Sequence, residues 1–154
     1  MFGVCKHNSR LPGRRAVPGD MNDTLHLDNR LDELPRVREW LTQLPVMQAC
    51  APDAINEVWL ILDELLTNII SYGYEDTRNR QIQVAVGRKG ERLLLEIRDD
   101  ARPFNPLERI SSPGASSEIG GWGLQLVRGL SDSLDYARSN EYNVLTIEKE
   151  IPLR

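Results

Sequence analysis

Ile55, Val58, Leu62, Leu65, Leu66, Ile69 and Ile70 recur at spacings dominated by three and four, and this run constrains the fold of the chain more than any other. The period puts them on one stripe of an amphipathic helix, which must be buried against a core. Glu64 and Asn68 stand four apart in the same run and so share a helix face, one turn from each other. Asn is a mediocre helix former and interrupts residues that favour the helix. Its amide oxygen can ligate a hard cation such as Mg²⁺, and a carboxylate beside it can accept a proton from a hydroxyl or water. From this pair alone, two solvated residues on an exposed helix face is the stronger reading.

Pro52 and Asp53 suit the first turn of this helix, and Gly73 its end. Ahead of it, Leu31, Leu34, Val37, Leu41 and Leu44 predict a second helix, with Pro35 in its first turn and Pro45 stopping or kinking it. Leu25 and Leu27 alternate with Thr24 and His26 and predict a short first strand. Ile82, Val84 and Val86, then Leu93, Leu95 and Ile97, flank the turn-like Arg88–Glu91 and predict an antiparallel hairpin with one buried face. From Asn105 to Gly120 the periodicity is lost among Pro and Ser, which predicts a mobile loop suited to a lid. A helix is expected from near Leu124, and two last strands, Leu134–Arg138 and Tyr142–Ile151, join around Asn140. This order implies an α+β fold in which a mixed, largely antiparallel sheet is covered on one face by helices.

With 154 residues the chain has enough length for one domain with a real core. Residues 1–20 are expected to be a disordered basic tail: the first nineteen hold Lys6, Arg10, Arg14 and Arg15 and no acid. Residues 21–154 form the expected domain. A net charge of −4 argues against nonspecific nucleic-acid binding. No apolar run approaches the ~20 residues of a membrane span, and the tail has no apolar centre like that of a secretory signal. Cys5 and Cys50 have no metal-ligand company and read as incidental thiols, so a cytoplasmic protein is expected.

Two further stretches carry possible chemistry. Glu96-Ile-Arg-Asp-Asp-Ala-Arg-Pro-Phe-Asn-Pro106 ends an apolar strand, and by itself Asp99-Asp100 reads as a turn. Gly120-Gly-Trp-Gly-Leu-Gln-Leu-Val127 opens a helix. Gly121 and Gly123 there let backbone amides approach an anion at a helix N-terminus, although a structural turn is the commoner cause of such glycines. A dinucleotide fingerprint is left incomplete by Leu126. Lys6, Lys89 and Lys149 are the only lysines and none follows a glycine, which excludes a Walker P-loop.

In this order and at these distances, the three stretches resemble the N, G1 and G2 boxes of the GHKL ATPases, and within them the anti-sigma-factor serine/threonine kinases. The resemblance spans roughly residues 24–151 and implies the two-layer α/β sandwich of that group. It implies ATP and Mg²⁺ as cofactors, with Glu64 as catalytic base and Asn68 as the Mg²⁺ ligand. Asp99 would accept a hydrogen bond from the adenine amino group, with Asp100 as the one-residue-slip alternative. Ala101 stands where the family has glycine, and Pro103 and Phe104 would wall the base pocket. Gly121 and Gly123, with Leu124, would hold the phosphates, and Arg109 and Arg128 are further candidates for their charge. Ser71 and Tyr72 would touch the nucleotide, Tyr72 in place of the family's usual His. Asn143 and Thr146 match polar positions of the last strands, and Thr146 would support Asp99 from behind. The implied partners are a sigma factor or other regulator and a STAS-domain anti-anti-sigma protein, with a possible homodimer and neither nucleic acid nor membrane. A non-catalytic ATP-responsive binding module, or a detached histidine-kinase-like ATPase domain, is the alternative.

Overall fold

A computed structural model describes residues 20–110 and 121–152, the side chains of Asp20, Arg109, Ile110, Gly121 and Trp122 excepted. Strand β1 (Asp20–Asp28) leads through one 3-10 turn (Leu31–Glu33) into helix α1 (Leu34–Gln43), the short α2 (Pro45–Gln48) and the long α3 (Pro52–Tyr72). The hairpin β2 (Gln81–Lys89) and β3 (Arg92–Asp99) follows, then α4 (Pro106–Ile110), α5 (Gly121–Leu130), β4 (Ser133–Ser139) and β5 (Tyr142–Glu150). The sheet runs β1-β2-β3-β5-β4, and all four pairings are antiparallel.

Local chemistry explains most boundaries. Leu44 is extended and Pro45 follows as the first residue of α2, because proline disfavours a helical residue before it. Pro52 sits at the start of α3, where its missing N–H has no intrahelical role, and Gly73 caps the other end by donating to Ile69 O at 2.9 Å. Gly90, at φ +61°, turns the β2–β3 hairpin, and Asn140, at φ +55°, turns β4 into β5.

The first strand and the segment after Asn105 differ from the sequence reading. The first strand is nine residues long and begins at Asp20, with a register shift between Met21 and Asp23. The patternless segment after Asn105 contains α4. Its start is chemically conventional: Asn105 Oδ1 accepts from Leu107 N–H at 3.0 Å and Pro106 opens the helix. Residues 111–120, the greater part of the expected lid, lie outside the described residues.

The core lies between the helices and one face of the sheet. Val37 and Leu41 of α1, Val58, Ile61, Leu62, Leu65 and Leu66 of α3, and Leu124 and Val127 of α5 pack with Ile82, Val84, Val86, Leu93, Leu95, Ile97, Leu145 and Ile147. Cys50 is buried in this cluster, its Sγ 3.1 Å from Val46 O. Leu62 is fully buried, whereas Leu60, two residues away, is 40% exposed. Leu62→Ala should therefore cost about 2–5 kcal/mol. Leu60→Ala should cost less than about 0.5 kcal/mol. Urea unfolding midpoints check both values, and equal losses would mean that α3 is rotated from the orientation described here.

Candidate functional site

A cavity of about 370 Å³ opens where α3, the end of β3 and the β4–β5 strands meet. That volume is within the range of small-molecule sites. Leu65, Asn68, Ile69 and Tyr72 line it from α3, at the spacing of one helix face. Ala101, Arg102, Pro103, Phe104 and Pro106 form the opposite wall, with Leu124 from α5 and Tyr136, Asn143 and Leu145 from the last strands.

Asp99 lines this cavity and is 3% exposed. Its Oδ1 accepts from Ala101 N–H at 3.0 Å and from Asn143 Nδ2 at 2.9 Å. Among the described residues no donor reaches its Oδ2, which leaves that oxygen to accept from a ligand. Burial raises the Asp99 pKa, and the bonds from Asn143 and Ala101 partly offset the rise. Asn143 uses its whole amide: Nδ2 also donates to Ala101 O at 3.2 Å and Arg102 O at 3.1 Å, while Oδ1 accepts from Tyr136 Oη at 2.6 Å and Arg138 Nη1 at 3.2 Å. Asp99 and its wall segment are therefore tied to β5 through one side chain.

Asp100 faces elsewhere. Its Oδ2 accepts from Arg80 Nη1 at 3.0 Å, and its Oδ1 and the Tyr74 hydroxyl are both buried without a hydrogen-bond partner. Burial, then the neighbouring Asp99 and Asp100 carboxylates, push the Tyr74 phenol well above its usual range. The slip alternative for the base contact therefore falls to a residue already engaged outside the cavity.

Glu64 does not line the cavity. It lies against the first turn of α5: a Cβ added at Gly123 would sit 1.9 Å from Glu64 Oε2. Helix α5 begins at Gly121 rather than near Leu124, so both glycines are in its first turn. Amides there have no intrahelical acceptor. At the other end of α3, a Cβ on Gly73 would meet Ala101 Cβ at 2.8 Å, so the methyl of Ala101 is accommodated where Gly73 has no side chain. Arg102 N–H donates to Gly73 O at 3.0 Å and closes this contact.

Other sequence expectations fall away from this cluster. Thr146 pairs with Glu96 on the face of the sheet opposite the helices, so it cannot support Asp99 from behind. Thr146 stands three residues from Asn143, and an odd spacing in a strand reverses the face. The supporting role belongs to Asn143. Ser71 is exposed and outside the cavity lining, turned roughly 60° round α3 beyond Asn68. Arg128 is in the last turn of α5, about 10 Å along the axis from the glycine end. There its charge complements the helix C-terminus instead of a phosphate at the N-terminus. The Arg109 side chain lies outside the described residues. Tyr136, Leu145, Arg102 and Pro106 were not anticipated. The β4–β5 register places Tyr136 opposite Leu145, but nothing in the sequence sets β5 beside β3, the strand that ends in the G1-like stretch.

Among the described residues no group of three or more His, Cys, Asp or Glu is placed to hold a metal ion. Asn68 fits a Mg²⁺ that completes its shell with phosphate oxygens and water. Its Nδ2 is buried without a partner, so turning the amide to present Oδ1 breaks no hydrogen bond.

Known proteins share this arrangement of elements. The family model of the Histidine kinase-like ATPase domain matches residues 27–149. The serine/threonine-protein kinase BtrW of Bordetella bronchiseptica is 26% identical over 129 residues, 81% of this chain and 91% of that protein. The anti-sigma F factor of Anoxybacillus flavithermus is 24% identical over 104 residues, 64% of this chain and 71% of that protein. Among solved structures, the histidine kinase domain of the Erythrobacter litoralis EL346 blue-light activated histidine kinase aligns with a TM-score of 0.53 at 20% identity. It covers 78% of this chain and 60% of that one, and the likeness is one of fold. Among the described residues no helix is long and apolar enough to cross a membrane.

The raised Asp99 pKa has a sign that can be measured. Between the ordinary aspartate range and the raised value, the folded state binds more protons than the unfolded state, so stability falls as pH rises through that window. Asp99→Asn keeps an oxygen acceptor for Ala101 and Asn143 and removes the titration. Its stability relative to the parent should improve between pH about 3 and neutrality. Denaturant midpoints measured across that range test this, and parallel profiles would refute it.

Proposed function

This chain belongs to the histidine kinase-like ATPase family, and we propose that it is an ATP-dependent serine/threonine protein kinase acting as an anti-sigma factor in a partner-switching pathway. Its substrate in this reading is a hydroxyl of a STAS-domain antagonist. The reading rests on one observation above all: Glu64 abuts Gly123 at the start of α5, beside a cavity that holds both Asn68 and the buried acceptor Asp99. The relatives named as a serine/threonine-protein kinase and an anti-sigma factor support it.

Asp99 Oδ2 accepts from the amino group of adenine, while Pro103, Phe104 and Leu124 bury the base edge. Backbone amides of the first turn of α5 donate to the phosphates, where the helix dipole favours negative charge. Asn68 would supply an oxygen to Mg²⁺, and the ion would neutralise phosphate charge. Glu64 accepts the proton of the serine or threonine hydroxyl. The hydroxyl oxygen bonds to the γ-phosphorus, the bond from that phosphorus to the bridging oxygen breaks, and ADP leaves. Positioning and electrostatics dominate such a transfer.

A second reading, a non-catalytic ATP-responsive module, is favoured by Tyr72, which is 43% exposed at the cavity in place of a histidine. Phenol does not exchange a proton near neutral pH as imidazole does. Incubation with radiolabelled ATP and STAS antagonists separates the two, since the module transfers no label. Glu64→Ala should abolish transfer and spare Mg²⁺-dependent ATP binding, with Asp99→Asn losing binding as the control; equal transfer by Glu64→Ala and the parent would refute the role of Glu64. Gly123→Ala should keep the fold, because the displaced neighbour is the end of a flexible side chain. It should slow transfer about 100-fold through the misplaced carboxylate, read in single turnover.

A further inference from the structure

The sheet has two faces, and the helices account for burial on only one. Ala85, Gly87, Leu94 and Glu96 lie on the other face, where Ala85 pairs with Glu96 and Gly87 with Leu94 across β2 and β3. Leu94 is 2% exposed, Ala85 4% and Glu96 7%, yet none of them belongs to the core cluster shared by α1, α3 and α5. Thr24 and His26, on the same face at the β1 edge, are exposed. Beside Leu94 on this face stands the Arg92–Glu148 ion pair at 2.8 Å, whereas Gly87 opposite it has no side chain to cover it. Glu96 is buried and engaged, and a buried carboxylate requires a cation or hydrogen-bond donor.

We propose that residues 1–19, the basic segment ahead of β1, cover this face of the sheet. The position of β1 supports that path. Asp20 stands opposite Arg88, and Arg88 opposite Leu93, so the chain enters β1 at the end of the sheet where Leu94 lies. From β1 to β5 is three strand spacings, about 14 Å. Nineteen extended residues reach roughly 60 Å, so length is ample. The internal segment outside the described residues, 111–120, is bounded by α4 and α5, on the side of the helices.

The composition of the segment matches the face. Lys6, Arg10, Arg14 and Arg15 are cations with no competing acid, and Leu11 and Val17 are apolar, as Leu94 and Ala85 are. The remaining 135 residues carry 15 basic and 23 acidic side chains, a charge of −8, which draws such a segment back onto its own chain. The strands beneath it carry Asp99 and Asn143 on their other side.

The test uses the full chain. Photoactivatable benzoylphenylalanine placed at Leu11 or at Val17 and irradiated in dilute solution should give adducts of monomer mass, mapping to β2, β3 or β5. Adducts to the helical layer, adducts only to a second copy, or none from either position would overturn the proposal. In an independent measurement, Leu94→Cys in a Cys5→Ser background should react with maleimide about tenfold or more slowly than Thr24→Cys. Reversing Arg10, Arg14 and Arg15 to Glu should remove that protection. Equal rates, protection that survives the charge reversal, or protection that vanishes on dilution would each overturn it, the last by pointing to a second copy as the occupant.

Discussion

A carboxylate taken out of water must find donors, and Asp99 finds one across the sheet in Asn143. The antiparallel register of β3 against β5 makes these two residues direct partners, so both side chains emerge on the helical face at the same level. Asn143 then holds the carbonyls of Ala101 and Arg102 as well, and is itself fixed by Tyr136 and Arg138. Loss of that register by one residue would send Asp99 to the opposite face. The cavity, its acceptor and the wall formed by residues 101–104 all depend on this single pairing.

Helix α3 supplies the facing wall and makes the second demand on packing. Its buried stripe sets its rotation, and that rotation turns Asn68 and Tyr72 to the cavity and Glu64 to α5. Two glycines make the close approaches possible. At Gly123 the backbone of α5 comes against the Glu64 carboxylate, and at Gly73 the end of α3 comes against Ala101. In both places a side chain would have to occupy space already taken. The substitution of Ala101 for the glycine of the resembled pattern is thus tolerable because Gly73 faces it.

Much of this was legible from residue spacing. The three-and-four stripe of α3, the alternation of Ile82–Val86 and Leu93–Ile97, and the Pro52 and Gly73 boundaries all act within one element, where periodicity and local chemistry decide the outcome. Asn105-Pro106 is also a local signal, a cap followed by proline, although α4 has only five residues and no apolar stripe to advertise it. The errors arose where two elements must be set against each other. Thr146 and Asn143 are both polar and both in β5, and only the register against β3 separates the one that reaches Asp99 from the one that turns away. Arg128 likewise depends on where an element ends: α5 stops at Leu130, so the arginine stands in its last turn, away from the glycine end.

By itself, then, the sequence determined most of the elements, their amphipathic faces and the three polar stretches, because hydrophobic period, proline and glycine act over a few neighbouring residues. Tertiary structure decided which polar groups meet. Strand pairing chose Asn143 over Thr146 and Asp99 over Asp100, and helix packing brought Glu64 to Gly123, since these contacts join residues 44 and 59 positions apart in the chain. No local pattern encodes such a distance; burial of the shared core does.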